Sequence, residues 1–253
     1  MIHSFLIIGQ SNMAGRGSLT DAEPLDTRGG HIKVLRNGRW QTAFRPINPD
    51  RIFSGTCLAE SFSQAYFDDH PDVDVGIIPC ADGGTSIDQW AEGEILFDNA
   101  VNSAKLAMRT SHLVGILWHQ GEGDCASVKH PLYYDKLSAM MKALRSAIGK
   151  ERLPVIVGGL GDFLAHCDHS ATLVNYGFIN EHLMRYAEEN EFSAFASAEG
   201  LTANPDLLHF DHNSLRKFGR RYYEAFKTLE SKELISDEEI KLDDSKRTEM
   251  ESL

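Results

Sequence analysis

The chain has 253 residues, of which 42 % are hydrophobic and 25 % charged, and its formal net charge is −12. This composition is typical of a globular protein with one large domain, and the acidic balance argues against nucleic acids and anionic membranes as partners. No apolar stretch approaches the roughly 18–20 residues of a membrane-spanning helix. The first residues form neither a basic nor an apolar leader, so we expect a cytoplasmic protein.

Five near-continuous apolar runs predict the strands of a sheet, at residues 2–8, 73–79, 112–118, 154–158 and 192–196. Helix-length stretches lie between them at 58–67, 95–108, 133–148 and 173–190, and an apolar stripe with helical spacing covers 215–229. Continuous apolar runs are typical of parallel strands that are covered on both faces. The alternation of strands with helices therefore predicts a doubly wound α/β sheet with right-handed crossovers.

A long excursion over residues 16–56 interrupts this alternation after the first strand. Within it, residues 32–35 and 39–42 are strand-like and flank Asn37-Gly38. An Asn-Gly pair suits the type I′ turn of a β-hairpin. We therefore expect a hairpin in this excursion, and we expect the excursion to cover the face at the strand ends.

Neither a second domain nor a cofactor is indicated. No repeat or low-complexity linker interrupts the chain, which predicts one domain over residues 1–229 and an acidic extension over 230–253. The four cysteines form no CxxC pair, so we expect free thiols. His166-Cys167-Asp168-His169 has the residue types of a metal site, but no second ligand group lies at a suitable spacing, and a polar loop is the simpler interpretation. No glycine-rich phosphate loop is present, so we predict neither a metal nor a cofactor.

The first candidate for chemistry is Ser11, within the sequence Gly-Gln-Ser-Asn-Met-Ala-Gly at residues 9–15. It follows the first predicted strand, and strand ends are where open α/β sheets place their chemistry. The segment is not the GxSxG elbow of α/β-hydrolases, because Met13 stands at the place of the second glycine. Ser11 is therefore either the nucleophile of a different hydrolase design or a serine that caps the following helix.

A base for such a serine is available late in the chain, where Asp206 and His209 lie three residues apart. On a turn or helix, residues at this spacing share one side, so the carboxylate can orient the imidazole. A serine followed much later by an Asp-His pair is a known order for a catalytic triad. The alternatives are a pair of surface polar residues, or His212 as the base.

Two further segments follow predicted strands and could stabilise an oxyanion. The glycines of Asp-Gly-Gly-Thr-Ser at 82–86 allow a backbone N–H to approach a developing negative charge, although they also suit a plain turn. In Trp-His-Gln-Gly-Glu at 118–122, the amide of Gln120 could donate a second hydrogen bond. Glu122, together with Asp124, could fix this loop or pair with a cation. The sharper alternative is that Glu122 acts as a catalytic acid.

Taken together, the motifs GQSNMAG, DGGTSIDQW, WHQGEGD and DLLHF resemble the SGNH-hydrolase superfamily, and within it the sialate O-acetylesterase and acetylxylan esterase branch. The resemblance covers about residues 1–229. It implies a three-layer α/β/α sandwich with a five-stranded parallel sheet, similar to flavodoxin. Two positions depart from the family's pattern: Leu207 stands where a glycine is usual, and Gly123 precedes Asp124. Neither departure removes a catalytic atom.

The resemblance also implies roles for individual residues. It implies a nucleophile, a base and an orienting carboxylate, which map to Ser11, His209 and Asp206. The implied oxyanion donors are the N–H groups of Ser11 and Gly84, with Gly83 as the close alternative, and the side-chain amide of Gln120.

We therefore predict a metal-independent serine esterase that removes O-acetyl groups from a carbohydrate, of the sialate O-acetylesterase or acetylxylan esterase type. We expect specificity from residues 16–56 and 86–94, and the candidates for support or sugar contact are Gln10, Thr85, Trp90 and Arg16. An acetylated sugar is the expected partner, and the sequence leaves open whether the protein forms a homo-oligomer. The alternatives are a GDSL-type lipase or thioesterase for longer acyl chains, and a carbohydrate-binding protein without turnover.

Overall fold

A computed structural model describes residues 1–168 and 171–230. Within these residues the chain forms seven strands: β1 (Ile2–Gly9), β2 (Ile32–Arg36), β3 (Arg39–Thr42), β4 (Asp74–Pro79), β5 (His112–His119), β6 (Val155–Gly158) and β7 (Ser193–Ala196). The α-helices are α1 (Ser11–Ala14), α2 (Leu58–Asp69), α3 (Ile95–Ala107), α4 (Tyr133–Ile148), α5 (Tyr176–Glu189) and α6 (His212–Glu230). The helix predicted over 173–190 starts later, because Leu173–Asn175 form a 3-10 turn. Apart from Glu230, the predicted acidic extension lies outside the described residues.

The strands form one sheet in the order β3-β2-β4-β1-β5-β6-β7. The five predicted strands take the order 2-1-3-4-5 of flavodoxin-like folds, but a five-stranded parallel sheet is wrong for this chain. The predicted hairpin joins the sheet edge, where β2 pairs with β4 in parallel and β3 pairs with β2 antiparallel. Asn37 and Gly38 have φ angles of 50° and 76°, as a type I′ turn requires. The result is a mixed sheet of seven strands.

Helices cover both faces of the sheet, as the continuous apolar runs predicted. Successive side chains of a strand point to opposite faces, so Phe5 and Ile7 enter one core while Leu6 and Ile8 enter the other. The first core also holds the apolar faces of α2 and α6, and the second holds those of α3, α4 and α5. The three-layer α/β/α arrangement is therefore present. None of the helices in the described ranges has the length and apolarity that crossing a bilayer requires.

The centre of the sheet is the place where the topology reverses. From β1 the chain extends the sheet to one side through β4 and to the other side through β5. In open α/β sheets, the carboxyl ends of the strands at such a switch point form a crevice. The loops that follow β1, β4 and β5 therefore meet at one edge of the molecule.

Candidate active site

Ser11 lies at this edge, directly after the central strand. The chain turns sharply at Gly9, where φ is 128° and a Cβ atom would be 2.1 Å from the carbonyl oxygen of His119, so only glycine fits. Gln10 is the N-cap residue of α1, and Ser11 is the first residue of that helix. The Ser11 hydroxyl is 3.0 Å from Nε2 of His209. Its side chain thus faces the histidine and does not cap the helix.

His209 is in turn held by Asp206. Nδ1 of His209 is 2.7 Å from Oδ2 of Asp206, and Oδ1 of Asp206 accepts the backbone N–H groups of Leu208 and His209 at 2.9 and 3.0 Å. Burial raises the pKa of Asp206, but these hydrogen bonds from His209 and Leu208 outweigh it and lower the pKa below its ordinary value. The carboxylate is therefore ionised near neutral pH and fixes the ring orientation of His209.

The turn between the two residues is tight and places Leu207 in the left-handed region, with φ of 52°. The N–H of Leu207 donates to the carbonyl oxygen of Asn204 at 3.0 Å, which closes the turn. A left-handed conformation costs about 1 kcal/mol for a residue with a Cβ atom. This explains why glycine suits the position and shows that leucine can occupy it with the Asp206–His209 pair intact.

A second pair of residues clamps the segment that carries His209, and sequence reasoning missed it. Asn12 accepts the N–H of Phe210 at 3.0 Å and donates to the carbonyl oxygen of Leu208 at 3.2 Å. These two peptide groups lie on either side of His209. The same amide donates to Oε1 of Glu122 at 2.6 Å. Asn12 therefore links the segment that carries Ser11 to the segment that carries His209, and Glu122 fixes the orientation of the Asn12 amide.

In this arrangement the carboxyl group of Glu122 is buried. It is 6 % exposed, and its Oε2 atom has no hydrogen-bond partner among the described residues. Burial raises the pKa of Glu122, and the hydrogen bond from Asn12 opposes that rise. Of the three expectations for Glu122, the geometry corresponds to the one in which it fixes the loop.

The glycine turn after β4 is held by residues of the long excursion. Asn48 makes two hydrogen bonds with the backbone of Ala81, both at 2.9 Å. Oδ2 of Asp50 accepts the N–H of Gly83 at 2.8 Å, and Arg51 donates to the carbonyl oxygen of Gly83 at 2.9 Å. The excursion therefore does cover the strand-end face, and it orients the peptide groups on both sides of Gly83.

This anchoring distinguishes the two glycines. The N–H of Gly83 is occupied by Asp50. A trans peptide points its C=O and N–H in opposite directions, so the N–H of Gly84 points away from Arg51. No acceptor among the described residues engages the N–H groups of Gly84 or Ser11. A Cβ atom at Gly83 would be 3.5 Å from Cβ of Ser11, so the turn lies against Ser11.

Gln120 has a different environment from the one we expected. Its side chain is fully buried, and Nε2 donates to Oε1 of Gln10, to the carbonyl oxygen of Thr85 and to Oδ2 of Asp124, at 3.2, 3.0 and 2.6 Å. The two amide hydrogens are engaged inside the protein, so this geometry leaves none for an oxyanion. Gln10 also faces the backbone N–H groups at 121 and 123. Gln120, Gln10 and Thr85 thus order the loops behind Ser11.

Trp90 and Arg16, two of the candidates for support or sugar contact, have buried side chains. Trp90 is 1 % exposed and donates its indole N–H to the hydroxyl of Thr85 at 3.1 Å. The side chain of Arg16 is 5 % exposed and makes two hydrogen bonds with the carboxylate of Asp50, at 2.9 and 2.6 Å. The polar atoms of both side chains support the glycine turn and its anchor, and their burial leaves little surface for a sugar.

The other histidines near the site are not placed to act on Ser11. Nδ1 of His212 is 3.0 Å from the hydroxyl of Thr56, and burial lowers the pKa of His212. His119 is fully buried between the rings of Phe210 and Phe218, and burial lowers its pKa to about 3. The geometry therefore selects His209 over His212 as the partner of Ser11.

The segment with the residue types of a metal site forms a 3-10 turn at Asp162–His166, followed by the buried Cys167. His169 lies outside the described residues. Within 1–168 and 171–230, no three His, Cys, Asp or Glu side chains gather as a metal site would require.

Comparisons with known proteins agree with this fold. A probable carbohydrate esterase of Arabidopsis thaliana is 25 % identical over 177 residues, which is 60 % of this chain and 66 % of that protein, just under two thirds. The crystal structure of the Arabidopsis protein superimposes with a TM-score of 0.77 at 22 % identity, covering 89 % of this chain and 98 % of that one.

Two further neighbours share the fold at lower identity. A carbohydrate acetylesterase from Xanthomonas citri has a TM-score of 0.68 and 17 % identity, covering 90 % of this chain and 56 % of that one. NanS has a TM-score of 0.70 and 16 % identity, covering 91 % of this chain and 98 % of that one.

The chain as a whole matches a protein-family model. The model for carbohydrate esterases described as sialic acid-specific acetylesterases covers residues 1–228. The fold is similar to that of SGNH hydrolases, and a Ser-His pair lies at its switch point. The chain belongs to this carbohydrate esterase family, and it is an enzyme of that class.

Proposed function

We propose that this protein is a serine esterase that removes O-acetyl groups from a carbohydrate, with Ser11 as nucleophile, His209 as base and Asp206 as the orienting carboxylate. One observation carries the proposal. Ser11, His209 and Asp206 form a continuous hydrogen-bonded series, with 3.0 Å from Oγ to Nε2 and 2.7 Å from Nδ1 to Oδ2. This is the geometry of a nucleophile activated by an adjacent base that a third group orients.

In the first half of the reaction, Nε2 of His209 takes the proton of the Ser11 hydroxyl while Oγ attacks the ester carbonyl carbon. The N–H groups of Ser11 and Gly84 stabilise the resulting oxyanion, because both are free to donate and the Gly83 turn lies against Ser11. His209 then gives its proton to the alcohol oxygen of the sugar, which leaves, and an acetyl group remains on Ser11.

In the second half, a water molecule loses a proton to His209 and attacks the acetyl carbon. The tetrahedral intermediate collapses, acetate leaves, and Ser11 regains its proton from His209. Gln120 is a positioning residue in this scheme, because its amide hydrogens order Gln10, Thr85 and Asp124 behind the site.

An acetylated sugar as substrate is supported by the family and by the names of the relatives. The family description specifies sialic acid acetyl esters, and the Xanthomonas citri neighbour is a carbohydrate acetylesterase. Hydrolysis rates for acetylated sialic acid and acetylated xylo-oligosaccharides would separate the two substrate types. A series of p-nitrophenyl esters from acetyl to octanoyl would separate this proposal from a lipase or thioesterase, which prefers the longer chains.

The test of the mechanism is p-nitrophenyl acetate hydrolysis by three variants. We expect Ser11→Ala and His209→Ala each to lower kcat by about 10⁴-fold or more, because the triad acts as a unit. His212→Ala is the matched control: it removes a histidine three residues away that contacts Thr56, and we expect most of the activity to remain. Circular dichroism would confirm that all three fold. Full activity in folded Ser11→Ala would overturn the proposal. Loss of activity in His212→Ala alone would identify His212, and not His209, as the base.

A further inference from the structure

The excursion approaches the site through a short loop, Asp50–Ser54, that is rigidly held. Besides its two bonds to Arg16, the Asp50 carboxylate accepts the hydroxyl of Ser54 at 2.7 Å. The N–H of Ser54 donates to the carbonyl oxygen of Arg51 at 3.0 Å and closes a tight turn. Arg51 adds an ion pair with Asp82 at 2.7 Å. The tip of this loop therefore has one defined position relative to the glycine turn.

The two residues at the tip are apolar and point into solvent. Ile52 is fully exposed and Phe53 is 66 % exposed. Single exposed apolar residues are ordinary on protein surfaces. Here, however, two large ones are adjacent, on a loop whose neighbouring residues are all used to fix its position. This pattern is typical of a surface that contacts a ligand.

The tip stands close to the nucleophile. The guanidinium carbon of Arg16 lies 5.2 Å from the centre of the Phe53 ring, a cation–π contact that fixes the ring. A terminal nitrogen of Arg16 would be 2.5 Å from a Cβ atom at Gly83, and that Cβ would be 3.5 Å from Cβ of Ser11. Phe53 is therefore connected to Ser11 through the Arg16 side chain and the glycine turn. At 66 % exposure, the Phe53 ring is accessible to a ligand in this position.

We infer that Ile52 and Phe53 form a binding surface for the sugar ring of the substrate, and this inference rests on the proposed function. A pyranose ring carries C–H groups on its faces and hydroxyls at its edges, so one face can pack on an aromatic ring while the hydroxyls stay in water. An acetyl group is too small to reach from Ser11 to the loop tip. The surface therefore serves the alcohol part of the ester, which has to remain outside the buried polar residues behind Ser11.

The test compares two acetyl esters that differ only in the alcohol part, glucose pentaacetate and methyl acetate. In the double variant Ile52→Ala/Phe53→Ala, we expect the ratio of kcat/KM for glucose pentaacetate to kcat/KM for methyl acetate to fall about tenfold, mainly through KM, as the loss of an aromatic contact predicts. The matched control is Ile95→Ala/Phe178→Ala, which removes the same residue types from exposed positions elsewhere, 80 % and 48 % exposed. This control should leave the ratio unchanged.

Three results would overturn the inference. The first is an unchanged ratio in the loop variant, and the second is an equal fall of the ratio in the control. The third is a loss of activity confined to p-nitrophenyl octanoate, which would assign the loop tip to acyl chains. If the proposed function itself were wrong, the results would differ from these. The wild-type protein would hydrolyse neither acetyl ester, or the Ser11→Ala variant would keep the wild-type activity.

Discussion

Two turns flank Ser11, and their anchoring residues differ in exposure. The glycine turn at 81–84 is held by Asp50, whose side chain is 3 % exposed, and by Arg51, whose side chain is 41 % exposed. The segment at 206–210 is held from inside by Asn12 and Glu122, which are 1 % and 6 % exposed. One turn thus depends partly on charges near water, and the other on polar groups in the interior.

This difference in the exposure of the anchoring residues predicts which side of the site tolerates amino-acid substitution. Ion pairs near water are worth little individually, because water and salt screen them. Buried polar groups are different, since removing one partner leaves the other without a hydrogen bond in a low-dielectric interior. We therefore expect the side that carries His209 to be rigid and sensitive to substitution, and the side that carries Gly84 to be adjustable.

Among the variants that test this difference between the two turns, Asn12→Ala is expected to have the largest effect. The substitution removes the bonds to Leu208 and Phe210 and leaves the Glu122 carboxyl buried without a partner. We expect the free energy of unfolding to fall by about 3 kcal/mol or more, and kcat to fall by about 100-fold as His209 loses its fixed position. Urea unfolding and p-nitrophenyl acetate kinetics would measure the two quantities.

Asn48→Ala provides the matched comparison for that variant. Asn48 is also a buried asparagine, 3 % exposed, with two bonds to the backbone of Ala81, but it holds no carboxyl group. Asn48→Ala should lower both the free energy of unfolding and kcat by less than Asn12→Ala does. Equal losses would show that the two turns do not differ in the way described.

A smaller effect is expected from Arg51→Ala. The arginine holds the carbonyl oxygen of Gly83 and so sets the direction of the Gly84 N–H. We expect a fall of about tenfold in kcat, since one of the two proposed oxyanion donors becomes less well aligned but is not removed. The KM for methyl acetate and the free energy of unfolding should change little, because the guanidinium is partly exposed. Arg51→Lys should restore only part of kcat, since lysine lacks the two-pronged geometry. A change in KM alone would argue against this positioning role.

The smallest effect concerns the pH dependence of stability in Glu122→Gln. Burial raises the pKa of Glu122 above its ordinary value of 4.5. A raised carboxyl pKa means that its contribution to stability is fully present below 4.5 and is lost as the pH rises through the folded-state pKa. Glutamine does not ionise and keeps an acceptor for Asn12, so the variant should gain stability relative to the wild type as the pH increases above 4.5. Urea unfolding at several pH values would test this, and a constant difference would contradict it.

Contacts between residues close in the chain could be predicted, and contacts over long separations could not. Asp206 and His209 are three residues apart, so a turn brings them together whatever the rest of the fold does. Asn12 and Leu208 are separated by 196 positions, and Asp50 and Gly83 by 33. Both Asn12 and Asp50 lie in segments without hydrophobic periodicity, so their partners depend on how loops pack on the finished sheet.

Two other differences between the sequence-based predictions and the structure have equally specific causes. The Asn-Gly pair predicts a hairpin, but its place in the sheet depends on the edge of β4, which offers backbone groups to β2. An amide side chain such as that of Gln120 carries a donor and an acceptor, so its sequence position after β5 does not reveal which neighbours use them. The buried acceptors of Gln10, Thr85 and Asp124 decide that question.

The four cysteines offer an internal reporter of motion at the catalytic edge. Cys57 precedes α2, and the others follow β4, β5 and β6 at Cys80, Cys125 and Cys167; all four are buried. Burial also raises the pKa of Cys57, Cys80 and Cys125, so their native thiols are both covered and protonated. A thiol reagent can modify such groups only when the surrounding loops open. The labelling rate of each cysteine would therefore time the local openings of this edge, with no probe added to the chain.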